Sequence, residues 1–272
     1  MGSRFDAAVV GGGPAGLASA LFLARQGWKV VLFEKRDWPV DKACGEGIMP
    51  TGLAVLKRLG VKPSGSPFYG ISYRIWQGPQ AQARFAEGPG LAVRRTELSQ
   101  SLVDCCRAHP NIELRPHTTA DIVEFSDCGV TVQASCGLRL QVSLVVGADG
   151  LQSRLRRHLP QPLGANRGHK WFWRWGLRRH FHCHAWNDLV EVHLAQGCEA
   201  YVTPAGPGLV GVAILCRRPL VELGFDRLLE HFPSIVQRLG QSPPASQVRS
   251  AGPFEQRVAQ VARPGLVLIG DA

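Results

Sequence analysis

Long uninterrupted apolar runs are missing from these 272 residues, and with them the means to cross a bilayer. The stretch 7–32 is the richest in Ala, Val, Leu and Gly. It is broken by Pro14, Arg25, Gln26 and Lys29, so neither a transmembrane segment nor a signal peptide fits. A cytoplasmic setting is the expectation. The C-x-x-C spacing of a metal or redox site is also missing: the eight cysteines (44, 105, 106, 128, 136, 183, 198, 216) are scattered and read as reduced thiols. Acidic side chains are scarce beside basic ones, 21 against 31, and much of the surplus lies between Arg154 and Arg179. Such a field can attract a phosphorylated cofactor, an anionic substrate, an acidic carrier protein or a membrane surface, or it can be a solvated face. No recognition motif for nucleic acid accompanies it, so nucleic acid is not an expected partner. What remains, 45% hydrophobic and 19% charged, is enough for the core of one large soluble domain or two smaller ones.

The N-terminal stretch FDAAVVGGGPAGLASALFLARQGWKVVLFEK opens as a strand and turns through Gly11-x-Gly13-x-x-Gly16. It continues as a helix with Leu17, Leu21 and Ala24 on one face, stopped by Gly27. A second strand, Lys29 to Phe33, delivers Glu34, 21 residues past Gly13. The order has a mechanical reason. Glycines let backbone approach a pyrophosphate, the helix N-terminus supplies N–H donors and the positive dipole end, and Glu34 accepts from ribose hydroxyls. Pro14 suits the first helical turn, with Ala15 beside it. Lys35 follows the acid directly. The motif predicts a bound dinucleotide and leaves NAD and FAD open.

A second apolar strand, in LVVGADGLQSRLRR (144–157), ends in Asp149-Gly150 with Ser153 and Arg156 on the following turn. A third, in ARPGLVLIGDA (262–272), runs into Gly270-Asp271. With these three fingerprints in order the chain resembles the flavoprotein hydroxylase superfamily, which includes p-hydroxybenzoate hydroxylase-like monooxygenases, geranylgeranyl reductases and flavin-dependent halogenases. The resemblance implies FAD, with Asp271 on its ribityl chain. It implies an α/β fold, in which a Rossmann-like FAD-binding domain (1–67, 95–160 and 255–272) carries an inserted antiparallel-sheet substrate domain (68–94 and 161–254). Arg95 matches the family arginine that lies along the flavin side chain. Its other reading is a surface arginine beside a Thr96 N-cap. The segment Cys44-Gly45-Glu46-Gly47 is similar to the loop of the geranylgeranyl reductase branch in which the cysteine lies near the flavin ring. From the residues alone, Cys44 is a small buried side chain. In the family Gly-Asp leads into a further turn and helix, whereas Ala272 ends this sequence. A C-terminally incomplete chain that holds flavin poorly by itself is therefore expected.

Strand-like runs at 171–182, 189–194, 198–203 and 208–216 predict an antiparallel sheet. In the first, Trp171, Trp173, Trp175, Leu177 and Phe181 share one face, and Arg174, Gly176, Arg178, His180 and His182 share the other. Glu191, His193, Glu199 and Tyr201 extend the polar set, with Arg178 pairing Glu191 as one arrangement. Which face roofs the flavin stays open. His180, His182 and His184 are aligned by strand spacing alone, so no metal is expected. Two departures bear on substrate. Isoprenoid-chain reductases resemble P-x-x-Y-x-W-x-F-P where this chain has Gly197-Cys198-Glu199-Ala200-Tyr201-Val202-Thr203-Pro204. Halogenases carry W-x-W-x-I-P, and here Trp171-Phe172-Trp173 is followed by Arg174-Trp175-Gly176. The resemblance with these departures implies a monooxygenase in which NAD(P)H, bound transiently, reduces FAD and O₂ hydroxylates an aromatic or polyketide-like small molecule. Cys44, His180 and Tyr201 are the candidate catalytic or substrate-contacting residues. The alternatives are a double-bond reductase of the geranylgeranyl reductase type and a non-catalytic FAD-binding fragment.

Overall fold

The computed structural model describes residues 5–160, 173–256 and 258–272. It opens with β1 (Ala7–Val10), α1 (Pro14–Arg25) and β2 (Val30–Phe33). Because side chains alternate along a strand, Ala7, Val9, Val30 and Leu32 enter one core while Ala8, Val10, Val31 and Phe33 enter another. Burial on both faces is what a parallel sheet between two layers demands of its sequence. α1 presents Gly16, Leu17, Ala20, Leu21 and Ala24 as one buried stripe, and burying each leucine contributes about 2 kcal/mol. Gly27, at φ 87°, lets the chain turn out of the helix.

There follow β3 (Gly47–Ile48), α2 (Pro50–Arg58), β4 (Ser66–Phe68), β5 (Gly70–Ile75), β6 (Gln80–Arg84), β7 (Gly90–Ala92), α3 (Arg95–Arg107) and β8 (Ile112–Arg115). Next come β9 (Ala120–Ser126), β10 (Gly129–Ala134), β11 (Arg139–Val142) and β12 (Leu144–Gly147). The remaining elements are β13 (Arg174–His182), β14 (Val190–Ala195), β15 (Cys198–Gly206), β16 (Leu209–Arg217), α4 (Gly224–Leu229), α5 (Pro233–Leu239), β17 (Arg249–Ala251), β18 (Ala262–Arg263) and β19 (Leu266–Leu268).

The first layer is a sheet in the order β18-β19-β12-β1-β2-β8, parallel except for the β18–β19 pair. Helices α1, α2 and α3 share a core with one face of it, and the antiparallel trio β11-β10-β9 shares a core with the other. All five parallel strands point the same way, so the turns after β1, β2 and β12, and the chain after β19, gather at one edge.

The second large sheet runs β17-β13-β16-β15-β14-β5-β6, antiparallel except where β14 lies parallel to β5. It joins strands from the 68–94 stretch to strands of the 161–254 stretch. Leu177, Phe181, Val202, Val212 and Ile214 pack with Phe225, Leu228, Ile235 and Leu239 on one side, so α4 and α5 cover that face. The run expected at 171–182 is strand from Arg174. Residues 171 and 172, like Arg167 and Lys170 of the basic stretch, lie outside the described residues. Among the described residues no helix is long and apolar enough to cross a membrane.

Candidate functional site

The glycine turn is built as its spacing predicts. Gly11 sits at φ 111°, and a Cβ there would overlap the Ala148 carbonyl; one on Gly16 would overlap the Gly11 carbonyl oxygen. These two glycines serve the close approach of β1, α1 and β12. Gly12 carries the weight of Trp38, whose indole Nε1 donates to the Gly12 carbonyl at 3.0 Å. Gly13 differs: at φ −76° it is open to other residues, and the nearest atom to a Cβ there is an Arg95 guanidinium nitrogen at 3.9 Å. Space at Gly13 is thus left for something other than the chain.

Glu34 is buried, its Oε2 accepting the Gly12 N–H at 2.7 Å and its Oε1 the Arg36 N–H at 3.1 Å. Beside it a cavity of 130 Å³ is lined by Gly11, Gly13, Glu34, Lys35, Arg36, Lys42 and Asp149 among others. A second, of 510 Å³, shares Lys35, Arg36, Lys42 and Asp149 with the first and adds Asp41, Arg95, Arg249 and Asp271. Burial, then the nearby charges of Arg36 and Arg95, push the Lys42 ammonium below its ordinary pKa. The buried Nε of Arg95 has no hydrogen-bond partner. Crowded cations and an orphaned guanidinium donor next to an open glycine turn are what a pyrophosphate would satisfy, so the residues present fit a dinucleotide.

Asp149 closes its own turn with both carboxylate oxygens. Its Oδ1 accepts from Ser153 Oγ at 2.6 Å and its Oδ2 from the Arg154 N–H at 2.7 Å. The carboxylate therefore braces the turn after β12, and the residue lines both cavities from that position. Gly270, at φ 63°, packs on Ala15 beside Pro14 in the first turn of α1; a Cβ would come within 3.0 Å. Asp271 is exposed at the wall of the second cavity, with its carbonyl taking an Arg156 N–H at 3.0 Å.

A third cavity, 220 Å³ and almost wholly apolar, shares Ala43 and Phe254 with the second. Cys44, Gly45, Gly176, Leu177, Tyr201, Ala213, Ile214 and Leu215 complete its wall. The seven-stranded sheet thus meets the loop 41–47 with the face that holds Arg178, His180, Tyr201 and Thr203. Thr203 Oγ1 donates to the Gly45 carbonyl at 2.8 Å, and Arg178 to Asp41. This settles which face looks toward the loop: the polar one. Of the sequence candidates, Cys44 and Tyr201 reach the cavity, Tyr201 donating to Glu199 Oε1 at 2.8 Å. Burial, then Glu199, push its phenol up to about 12.

His180 does not reach the cavity. It is buried under the loop, with Nε2 2.6 Å from Glu46 Oε2. Glu46, the acid between the two glycines, is the residue sequence reasoning passed over as a site member. It is buried at φ 60°, and its Oε1 accepts the Arg95 N–H at 2.9 Å, so the first turn of α3 is held by Glu46 and not by Thr96. The signal was present in a carboxylate set among glycines, but its partners lie far away in the chain.

The polar set needs one further correction. Glu191 and His193 occupy the opposite face from Tyr201, because β14 and β15 pair Ala195 with Cys198 and Val192 with Tyr201. Glu191 pairs with Arg74 at 3.2 Å, Arg238 at 3.0 Å and His193 at 2.8 Å, not with Arg178. Burial alone would raise its pKa; hydrogen bonds from His193 and Trp186 and the charges of Arg238 and Arg74 outweigh that and hold it at about 2. His180 and His193 lie on opposite faces, and among the described residues no group of three metal-binding side chains is assembled.

Residues 4–177 match the family described as FAD binding domain. The chain belongs to that family. This FAD binding domain chain is 32% identical over 165 residues to 3-amino-4-hydroxybenzoate 2-monooxygenase PtmB3 of Streptomyces platensis, a match covering 56% of this chain and 41% of that protein. It is 37% identical over 171 residues to the menaquinone reductase of Mycolicibacterium smegmatis, covering 58% of this chain and 41% of that one. The match spans about two fifths of each relative. Among solved structures, the myxobacterial chondrochloren halogenase CndH superposes with a TM-score of 0.82 at 19% identity, over 98% of this chain and 68% of that one. That likeness shows the Rossmann-type flavoprotein fold. The FAD binding domain assignment makes FAD the dinucleotide that the glycine turn left open.

Proposed function

We propose that the protein is an FAD-dependent oxidoreductase, a monooxygenase that hydroxylates an aromatic or polyketide-like small molecule with NAD(P)H as electron donor. The observation that carries the reading is the row of three cavities joined by shared walls, ionic at the glycine turn and apolar beneath the sheet. FAD, when bound, would supply the redox chemistry that links the donor, O₂ and an electron-rich ring. The chain's residues bind and orient. Glu34 would take the ribose hydroxyls, Arg36, Lys42 and Arg95 would neutralise the pyrophosphate, and Asp271 would meet the ribityl chain. Gly45 and Ala213, with Phe254 packed against Gly176, line an apolar, water-poor slot that suits an aromatic substrate, and Tyr201, anchored by Glu199, offers the polar point that orients a ring hydroxyl. The inserted unit of 68–94 and 161–254 is the substrate-covering part. A cytoplasmic setting, with NAD(P)H at hand, belongs to this reading. An acidic carrier protein docking on the basic surface around Arg154 to Arg157 belongs to it as well.

A second reading, a double-bond reductase, is favoured by the Cys44–Gly47 loop at the apolar cavity and by the name of the Mycolicibacterium relative. The two part company over oxygen. FAD-loaded protein is mixed with NADPH and either candidate phenols or alkenes, with and without O₂, and products are identified by mass. Oxygenated product formed only with O₂ supports the monooxygenase. An alkene saturated under anaerobic conditions, with no oxygenated product, would replace it with the reductase.

A further inference from the structure

Beneath the seven-stranded sheet lies a cluster of charged groups that the cavities do not use. Glu46, Arg178 and His180 are 4%, 2% and 1% exposed. His180 Nδ1 lies 3.1 Å from Arg178 Nη1 and 3.0 Å from Ser246 Oγ. A guanidinium can only donate, so Nδ1 must accept, and the ring proton is left on Nε2, facing Glu46. Glu46 therefore spends one oxygen on His180 and the other on the backbone N–H of Arg95, the residue that reaches toward Gly13. Arg178 in turn ties Asp41 and the Lys42 carbonyl, and Arg249 takes the second oxygen of Asp41 at 3.0 Å. Gly211, opposite His180 in the sheet, leaves the carboxylate its room: a Cβ there would sit 3.4 Å from Glu46 Oε2.

We propose that Glu46 and His180 are positioning residues: Arg178 fixes the His180 tautomer, His180 fixes the Glu46 carboxylate, and Glu46 sets both the start of α3 with Arg95 and the backbone of the Cys44–Gly47 loop. Through them the sheet dictates where the pyrophosphate-facing arginine and the wall of the apolar cavity stand. A neutral amide cannot do this. In Glu46→Gln either orientation of the side chain turns its NH₂ toward another donor, the Arg95 N–H or the His180 Nε2–H. The cost is that of one unsatisfied buried group.

The test uses the full chain, Glu46→Gln and His180→Leu, each checked for a parental far-UV spectrum. Nitrogen NMR of the parent is expected to show His180 protonated on Nε2 and bare on Nδ1. Amide hydrogen exchange at Arg95 is expected to speed up about tenfold in both variants, as loss of one buried hydrogen bond implies. FAD affinity is expected to fall by about the same factor, a readout that rests on the FAD reading above. Arg95 exchange as slow as in the parent in Glu46→Gln, or a proton on His180 Nδ1, would overturn the proposal. Failure of the parent itself to bind FAD would count against the FAD reading, while the exchange and the tautomer still decide this one.

Discussion

Replacing Gly13 by alanine separates a glycine kept for the fold from one kept for a ligand. The backbone at Gly13, φ −76° and ψ 175°, is ordinary for alanine, and the new methyl would find no atom nearer than an arginine nitrogen at 3.9 Å. Alanine is the poorer N-cap by several tenths of a kcal/mol, while narrowing the unfolded chain returns a similar amount, so the net change is expected within about 0.5 kcal/mol. Gly16→Ala is the contrast. Its methyl overlaps the Gly11 carbonyl oxygen, and since α1 carries Leu17 and Leu21 into the core, separating helix from turn is expected to cost about 1–3 kcal/mol. For bound nucleotide the ranking reverses in diagnostic value. A methyl at Gly13 would project into the open space that the proposed site gives to the pyrophosphate, and losing one charge-assisted hydrogen bond of about 1.5–3 kcal/mol would weaken binding roughly 10- to 100-fold. Urea unfolding gives the stability and flavin fluorescence titration the affinity. A Gly13→Ala protein that unfolds more easily by over about 2 kcal/mol, or that binds FAD as the parent does, would refute the reasoning.

Three further outcomes follow from buried groups. Glu191, held at about 2 against an ordinary 4.5, contributes stability that is full above 4.5 and fades as pH falls toward 2; in Glu191→Gln the stability difference from the parent should shrink over that window in urea melts. Of the three tyrosines, Tyr69, Tyr73 and Tyr201, the last should ionise late, near pH 12, so Tyr201→Phe should remove the final phase of an ultraviolet titration, and an unchanged final phase would count against the Glu199 contact. A thiol reagent at pH 8 should label exposed Cys128 and Cys136 quickly. Cys106, pushed up to about 12, and Cys216, pushed up to about 11, are both buried and should resist until unfolding, as read by peptide mass.

The nucleotide half of the molecule was legible because its rules are local. Gly16 is needed by sterics against Gly11 a few residues back, Gly11 by its own φ of 111°, Pro14 starts a helix wherever it stands at N1, and the burial of β1 and β2 on both faces shows as unbroken apolar runs. The sheet half was legible in outline only. Expected strands at 189–194, 198–203 and 208–216 are found at 190–195, 198–206 and 209–217. The face of Glu191 was misassigned by one step of register, which reverses every side chain. The two-residue turn Gln196-Gly197, with Gly197 at φ 75°, sets that register and was the available signal. The partnership of Arg178 with Asp41 and of His180 with Glu46 was beyond reach. It joins residues 137 and 134 positions apart, and a buried ion pair leaves no periodic trace in sequence.

The central claim, that the ionic cavities at the glycine turn hold FAD, is tested most directly by competition. The purified chain is titrated with FAD and with NAD at one ionic strength, following flavin fluorescence and the tryptophan signal that includes Trp38 on Gly12. FAD is expected to bind at one per chain and to displace NAD with at least a roughly tenfold lower Kd, a preference of about 1.4 kcal/mol. NAD binding the more tightly, or displacing bound FAD, would contradict the account.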